Sequence, residues 1–238
     1  MTADRWKQLV RQQLALGRLL PLGLPRDGAW ITEGAAESVL RRAADPVRGV
    51  RLGALRIALA DPDQTYDPAV PPPPSALPPG PLRVSAEFTA AADPTAPGIE
   101  PLPTTASRLR LALAGAATER LGLTVTEVDL RVTGLLEEDD ASPAVRRDAP
   151  PPALDESPVA AAALSVPGVT HLTAALGRPV HIEDVTGTDP ALPRRHVRVE
   201  LAVSADERTV DVARAVRATI TENLPDAPSV AVLVTAVH

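Results

Sequence analysis

Three histidines in the second half of the chain are the side chains best suited to hold a metal ion. His171, His181 and His196 are spaced so that two of them could face each other across a hairpin. A zinc or similar site needs three or four ligands, and no cysteine or clustered carboxylate accompanies this set. We therefore expect three surface or turn histidines and no metal or other cofactor. His238 is expected to be free.

Acidic side chains are concentrated in one run, Glu137–Asp140. Paired carboxylates can act as a general acid and base, but only inside a defined pocket. This run lies in a proline-rich segment, so we interpret it as a solvated charge block. The chain has no cysteine, no phosphate-binding loop and no nucleophile elbow. These features assign no catalytic or cofactor-binding residue, and we predict a protein that is not an enzyme.

Arginines cluster around the first predicted helix and strand. They are Arg41, Arg42, Arg48, Arg51 and Arg56. A basic cluster can bind nucleic acid, but the chain carries a net charge of −6 and aromatic residues make up 2% of it. Single-stranded nucleic acids are usually bound by stacking bases on aromatic side chains. Nucleic-acid binding is therefore the weaker interpretation. We expect a solvated helix face in which Arg41 and Arg42 are candidate contacts for a protein partner.

The N-terminal 20 residues have the pattern of an amphipathic helix. Trp6, Leu9 and Val10 share one face, and Leu19 and Leu20 widen it. We favour packing of this helix on its own domain, because Pro21 and Gly23 end it and lead back into the fold. The alternative is contact with a partner or a membrane surface, through Trp6, Leu9 and Val10.

Two proline-rich stretches organise the chain. Residues 71–81 (PPPPSALPPGP) favour polyproline II geometry, and we expect a stiff surface loop rather than a ligand for a proline-binding domain. Residues 136–157 contain seven acidic and two basic side chains and few large apolar ones. Such a segment buries too little surface to offset its ordering entropy, so we predict a mobile linker and a domain boundary there.

The segments on either side of this linker have the same order of predicted elements. Each contains a helix, a strand pair, a further strand, a helix and a final strand. Apolar residues alternate in the further strands, at residues 82–88 and 197–203, and in the final strands, at residues 128–135 and 230–237. The last helices have apolar residues at identical spacing: Leu109, Ala112, Leu113, Ala116, Ala117 and Leu121 match Val212, Ala215, Val216, Thr219, Ile220 and Leu224. We predict an α+β protein with two pseudo-symmetric copies of a small domain, each a sheet with two helices.

The predicted organisation has four parts. An N-terminal helix and lead-in occupy residues 1–29, and the first repeat spans residues 30–135. The linker covers residues 136–157, and the second, more divergent repeat covers residues 158–238.

The first repeat also resembles a known family. The stretches ITEGAAESVLRRAADPVRGV, LRVSAEF and TERLGLTVTEVDLRVTGL are similar to the alkaline-shock, envelope-stress-response family of Gram-positive bacteria. Lys7 is the only lysine, a bias typical of GC-rich actinobacterial genomes. The resemblance covers most of residues 30–135 and, more weakly, residues 158–238. It implies an abundant, non-enzymatic cytoplasmic protein, some relatives of which are recruited to the membrane by a transmembrane partner.

The sequence therefore predicts a non-catalytic adaptor or structural protein that acts by protein–protein contact. No apolar run reaches the roughly 18 residues that span a bilayer, and the N-terminus lacks the layout of a secretory signal. We expect a cytoplasmic protein that could reach the membrane through an anchored partner. Two alternatives remain open. One is a nucleic-acid or small-molecule binding domain of the same fold, and the other is a divergent enzyme with a site between the repeats. The partner and the oligomeric state are not specified by the sequence.

Overall fold

The computed structural model describes residues 17–91, 100–136, 150–185, 194–225 and 227–238. These ranges form a mixed α+β fold, which confirms the predicted class. They contain four α-helices and nine β-strands in two sheets. No helix among them has the length and apolar character needed to cross a membrane. The predicted N-terminal contacts Trp6, Leu9 and Val10 lie outside the described residues, as does the acidic run Glu137–Asp140.

The first sheet is built from the central part of the chain. Its elements are α1 (Glu33–Ala44), β3 (Val50–Leu59), β4 (Leu82–Ala91), α2 (Leu102–Gly115), a π-helical turn (Ala116–Leu121) and β5 (Val125–Leu136). The strand order is β3-β4-β5, with β3 antiparallel to β4 and β5 parallel to β4. The inward side chains of β4 are apolar and buried, as the period-two pattern of the sequence predicted.

The second sheet contains the last strands of the chain. Its elements are α3 (Pro158–Leu164), β6 (Val169–Leu172), β7 (Val180–Val185), β8 (Arg194–Val203), α4 (Thr209–Asn223) and β9 (Ser229–Val237). Both β6 and β7 pair antiparallel with β8, which pairs parallel with β9. Helix α4 therefore links two adjacent parallel strands, as α2 does in the first sheet.

Two short strands near the N-terminus extend this second sheet. They are β1 (Leu19–Pro21) and β2 (Ala29–Thr32). β2 pairs parallel with β9, and β1 pairs antiparallel with β2. The prediction that the N-terminal helix continues to Leu20 was wrong. Leu19 and Leu20 are buried as strand residues because they pair with β2, which β9 in turn holds in the sheet, and the local sequence does not reveal this pairing.

One continuous apolar core joins the two sheets. Helix α1 contacts both β3 and β9, and its Arg42 Nη2 donates to the Val237 carbonyl oxygen at 2.8 Å. The buried carboxylate of Asp27 receives a bidentate pair of hydrogen bonds from Arg214 on α4, at 2.8 and 3.1 Å. The predicted repeats are thus in direct contact, through α1 and β9.

The long proline-rich segment between β3 and β4 is a loop with exposed residues, as expected, but it also covers part of the second sheet. It lies over the outer face of the second sheet, where Val70 packs with Leu19, Trp30 and Leu233. Trp30 Nε1 donates to the Leu77 carbonyl oxygen at 3.4 Å. Because these contacts seal an apolar sheet face, the loop acts as part of the core.

The described end of the predicted linker is also attached to the fold. Pro152 forms a bridge with Thr173, and the Ala153 N–H donates to the Leu172 carbonyl oxygen at 2.8 Å. Residues 152–153 therefore contact β6 and the residue that follows it, and the mobile linker stays a prediction. The assigned boundaries of the two repeats stay a prediction.

Gly122 lies where the N-terminal segment, the π-helical turn and α4 meet, and it gives a test of this junction. Its φ is +86°, and an added Cβ would lie 2.2 Å from Val210 Cγ1. We expect Gly122→Ala to lower the free energy of unfolding by about 2 kcal/mol or more, from backbone strain and overpacking together. Chemical denaturation measures the change.

Gly115→Ala is the matched control. Gly115 lies in α2, and a Cβ there would meet nothing within 4 Å. Alanine favours a helix over glycine by about 1 kcal/mol, so this variant should be more stable than wild type. Equal effects at the two positions would contradict the tight junction described here.

Candidate functional site

The histidines predicted as metal-ligand candidates do not form a metal site. His196 is buried on β8 and its Nδ1 lies 2.8 Å from Ser229 Oγ on β9. Burial lowers the pKa of His196. His181 lies on β7 beside Glu183, at 3.7 Å. Within the described residues, no group of three metal-ligating side chains comes together.

Two expectations about these histidines were wrong. His196 is a core residue rather than a surface one, because the strand pairing places Ser229 opposite it and closes over both. His238 is not free: its ring stacks on His171 with centroids 5.7 Å apart, and its N–H donates to the Val203 carbonyl oxygen. Both contacts depend on the pairing of distant strands, which the sequence does not specify.

The two arginines predicted as partner contacts have partners within the chain. Arg41 donates to Glu37 and to the carbonyl oxygens of Leu52 and Gly53, so it ties α1 to β3. Arg42 ties α1 to the end of β9. Their role in binding a partner stays a prediction, and the structure assigns both of them internal contacts.

A small cleft lies at the junction between the predicted repeats. Arg42 and Arg120 line it together with Glu207, Thr209 and Val237. The Thr209 hydroxyl is buried, and among the described residues it has no hydrogen-bond partner.

The most unusual titratable group is Glu200, in the middle of β8. Its side chain is fully buried on the outer face of the second sheet. The loop between β6 and β7 closes over it, and the Leu176 N–H donates to Glu200 Oε2 at 2.9 Å. The other oxygen, Oε1, lies 3.7 Å from Arg198 Nε, and neither atom has a hydrogen-bond partner within the described part of the chain.

Burial raises the pKa of Glu200 to about 7. The hydrogen bond from Leu176 and the positive charge of Arg198 oppose this shift without cancelling it. A carboxyl group with this pKa exchanges a proton near neutral pH and has the acidity of a general acid or base. In this structure the loop between β6 and β7 covers Glu200 and keeps it from solvent. Its titration should therefore affect the stability of the protein as pH changes.

A different kind of site lies on β5. Its twelve residues pair with β4 along one edge, and no other strand of the described chain pairs with the opposite edge. An unpaired edge offers a row of N–H and C=O groups to any added strand. In the second sheet the corresponding edge of β9 is covered by β2.

The side chains of β5 suit protein contact. Val132 and Leu135 are 42% and 63% exposed on the face that turns toward the helices. On the other face, Arg83 pairs with Glu127 at 2.5 Å and with Asp129 at 3.5 Å, and Arg131 lies 4.0 Å from Glu87. Apolar and charged positions therefore alternate along an open edge.

Sequence reasoning missed both Glu200 and the β5 edge as sites. The alternation of Val197, Val199 and Leu201 already placed Arg198 and Glu200 together on the opposite face of a strand. It gave no sign that a loop would cover that face. The unpaired edge of β5 could not be predicted, because the order of strands in a sheet is set by tertiary structure.

Comparisons with known proteins do not assign the chain to a family. No family model, no curated protein and no solved structure matches this chain. The resemblance to the alkaline-shock family therefore stays a prediction from its motifs.

Glu200 makes stability depend on pH in a defined direction. Its pKa is about 7 in the folded protein and 4.5 for an unperturbed glutamate. Between pH 4.5 and 7 the folded state therefore binds more protons than the unfolded state. The free energy of unfolding should then fall as pH rises from 4.5 to 7, by about 3 kcal/mol at most. Glu200→Gln should remove most of this fall, measured by denaturation between pH 5 and 8.5.

Glu87→Gln, at an exposed position on the first sheet, is the control and should keep the wild-type dependence. If Glu200→Gln unfolds with the same pH profile as wild type, the carboxyl does not titrate as described.

Proposed function

We propose that this protein is a non-catalytic adaptor or structural protein that acts by protein–protein contact, and that the edge of β5 is its contact surface. The observation that carries the proposal is the twelve-residue edge of β5, with which no other strand of the described ranges pairs. An added strand would gain main-chain hydrogen bonds along it, and alternate side chains would supply specificity. The exposed Val132 and Leu135 provide apolar contact at one end of the same strand.

We also propose that the two halves descend from a duplicated unit. Each half has a helix, an antiparallel strand pairing, a crossover helix and a final parallel strand. The matched spacing of apolar residues in the two crossover helices supports the same origin. In this interpretation, the last strand of each unit pairs with one further strand. For β9 that strand is β2 of the same chain, and for β5 it comes from a partner.

The cellular setting is proposed from the resemblance stated above. It points to a response to envelope stress, with the protein in the cytoplasm and a membrane-anchored partner.

Photo-crosslinking in the cells that produce the protein tests the contact surface. A photo-reactive amino acid replaces Leu135 beside the β5 edge, and in a second variant it replaces Leu111. Leu111 is 72% exposed on α2 and serves as the matched control. We expect a covalent protein adduct from position 135 and a much weaker one from position 111.

A second substitution links the adduct to the strand edge. Val132→Pro in the position-135 variant removes one main-chain donor from that edge and should abolish the adduct, whereas Val132→Ala should retain it. Adducts of equal yield at positions 135 and 111, or adducts with nucleic acid, would overturn the proposed surface.

A further inference from the structure

The orientation of main-chain groups along β5 can be read from two contacts. The Leu82 N–H on β4 donates to the Thr124 carbonyl oxygen just before β5, at 2.8 Å. Arg110 Nε on α2 donates to the Val128 carbonyl oxygen at 3.1 Å, so this carbonyl points away from β4. Thr124 and Val128 point to opposite edges because β5 has one extra residue just after Val125, where its register with β4 shifts. Beyond this bulge, alternate residues of the strand direct their N–H and C=O groups to the same edge, so Leu130 and Val132 also present theirs outward.

We propose that the occupant of this edge is β5 of a second copy of the same chain, paired antiparallel with Leu130 opposite Leu130. This rests on the proposed function, since it names the partner of that contact surface. Val128 of each copy then lies opposite Val132 of the other, and all of these residues have outward main-chain groups. Two three-stranded sheets would become one continuous six-stranded sheet.

Charge selects this register. With Leu130 on the two-fold axis, Asp129 of each copy lies opposite Arg131 of the other, giving two ion pairs on the outer face. Moving the axis to Asp129 places Asp129 opposite Asp129, with Arg131 opposite Glu127 on either side, and moving it to Arg131 places Arg131 opposite Arg131. Of these three registers, only the one centred on Leu130 has no like-charged pair. Like charges directly opposite each other destabilise a strand pair, and opposite charges stabilise it. Both side chains are well exposed, at 64% and 81%, and so can reach across.

The regular part of the strand coincides with this register. The β4–β5 pairing is interrupted before Arg83 and after Phe88, which leaves residues 127–132 of β5 as an uninterrupted stretch. The pairs proposed above fall inside it. The main change required is that Arg110 releases the Val128 carbonyl oxygen, which then accepts from the Val132 N–H of the second copy.

Sedimentation velocity of the purified full chain over a range of concentrations tests this inference. We expect the wild-type protein to form a dimer. Val132→Pro removes two symmetry-related hydrogen bonds and should weaken the dimer by roughly ten- to hundredfold. Val132→Ala keeps those bonds and should remain close to wild type. Denaturation of each variant checks that the monomer is folded.

A charge exchange provides a test that loss of folding cannot imitate. Asp129→Arg places arginines opposite arginines, and Arg131→Asp places aspartates opposite aspartates, so each variant alone should be monomeric. In an equimolar mixture the opposite charges meet again, and a heterodimer should form. A wild-type monomer at every concentration, or a dimer that is unaffected by Val132→Pro and gives no rescue on mixing, would overturn the inference.

This outcome is separable from that of the proposed function. If the chain is monomeric but position 135 crosslinks to a different protein and Val132→Pro abolishes the adduct, the contact surface stands and the second copy is wrong. If the chain dimerises as described and position 135 yields only the chain crosslinked to itself, the inference stands and the adaptor role is replaced by self-assembly.

Discussion

The pairing of β2 with β9 is the contact on which the rest of the arrangement depends. It joins Ala29–Ile31 to Val232–Val234, which are about two hundred residues apart in the chain. Because α1 begins directly after β2, this pairing fixes the start of α1 against β9, and the other side of α1 is then available to the first sheet. The ion pair between Asp27 and Arg214 fastens the same segment to α4. A core made largely of alanine, valine and leucine gains little from each contact, so a shared helix gives both sheets more buried surface than either has alone.

The two sheets use similar strand pairings but leave very different surfaces. The outer face of the second sheet is covered by the proline-rich loop and by the loop between β6 and β7, and its last strand is covered by β2. The first sheet has a solvated outer face carrying ion pairs, and its last strand has an open edge. Any strand added from outside meets an accessible ladder only on the first sheet, as far as the described residues extend. Among the described strands, residues 125–136 therefore offer the edge to which another chain could add, although the second half has the more apolar strand.

The sequence predicted those features that depend on local periodicity. Leu109, Leu113 and Leu121 face the core as their spacing indicated, and the alternating strands β4, β8 and β9 lie where they were expected. The errors all concern pairing at long range. Leu19 and Leu20 have a pattern that suits either a helix or a buried strand, and only their pairing with β2, which β9 holds in place, decides between them. His196 and Glu200 occupy outward positions of an amphipathic strand, where a sequence rule predicts solvent, and two distant segments bury them instead. The sequence therefore predicted the position of Glu200 on the strand but not its raised pKa.

The covered outer face of the second sheet and the edge of β5 should also respond to different solution conditions. Glu200 changes charge near neutral pH beneath the β6–β7 loop, so deprotonation leaves a buried carboxylate whose compensation comes mainly from Leu176 and Arg198. This cost falls on the sheet formed by β8 and β9, and β9 is the strand that holds β2 and α1 in place. The edge of β5 belongs to the sheet on the other side of α1 and carries its charges on the solvent side, where salt screens them. Ionic strength should therefore act chiefly on contacts at β5, and pH chiefly on the stability of the second sheet, because the two sets of charges lie in environments of different polarity.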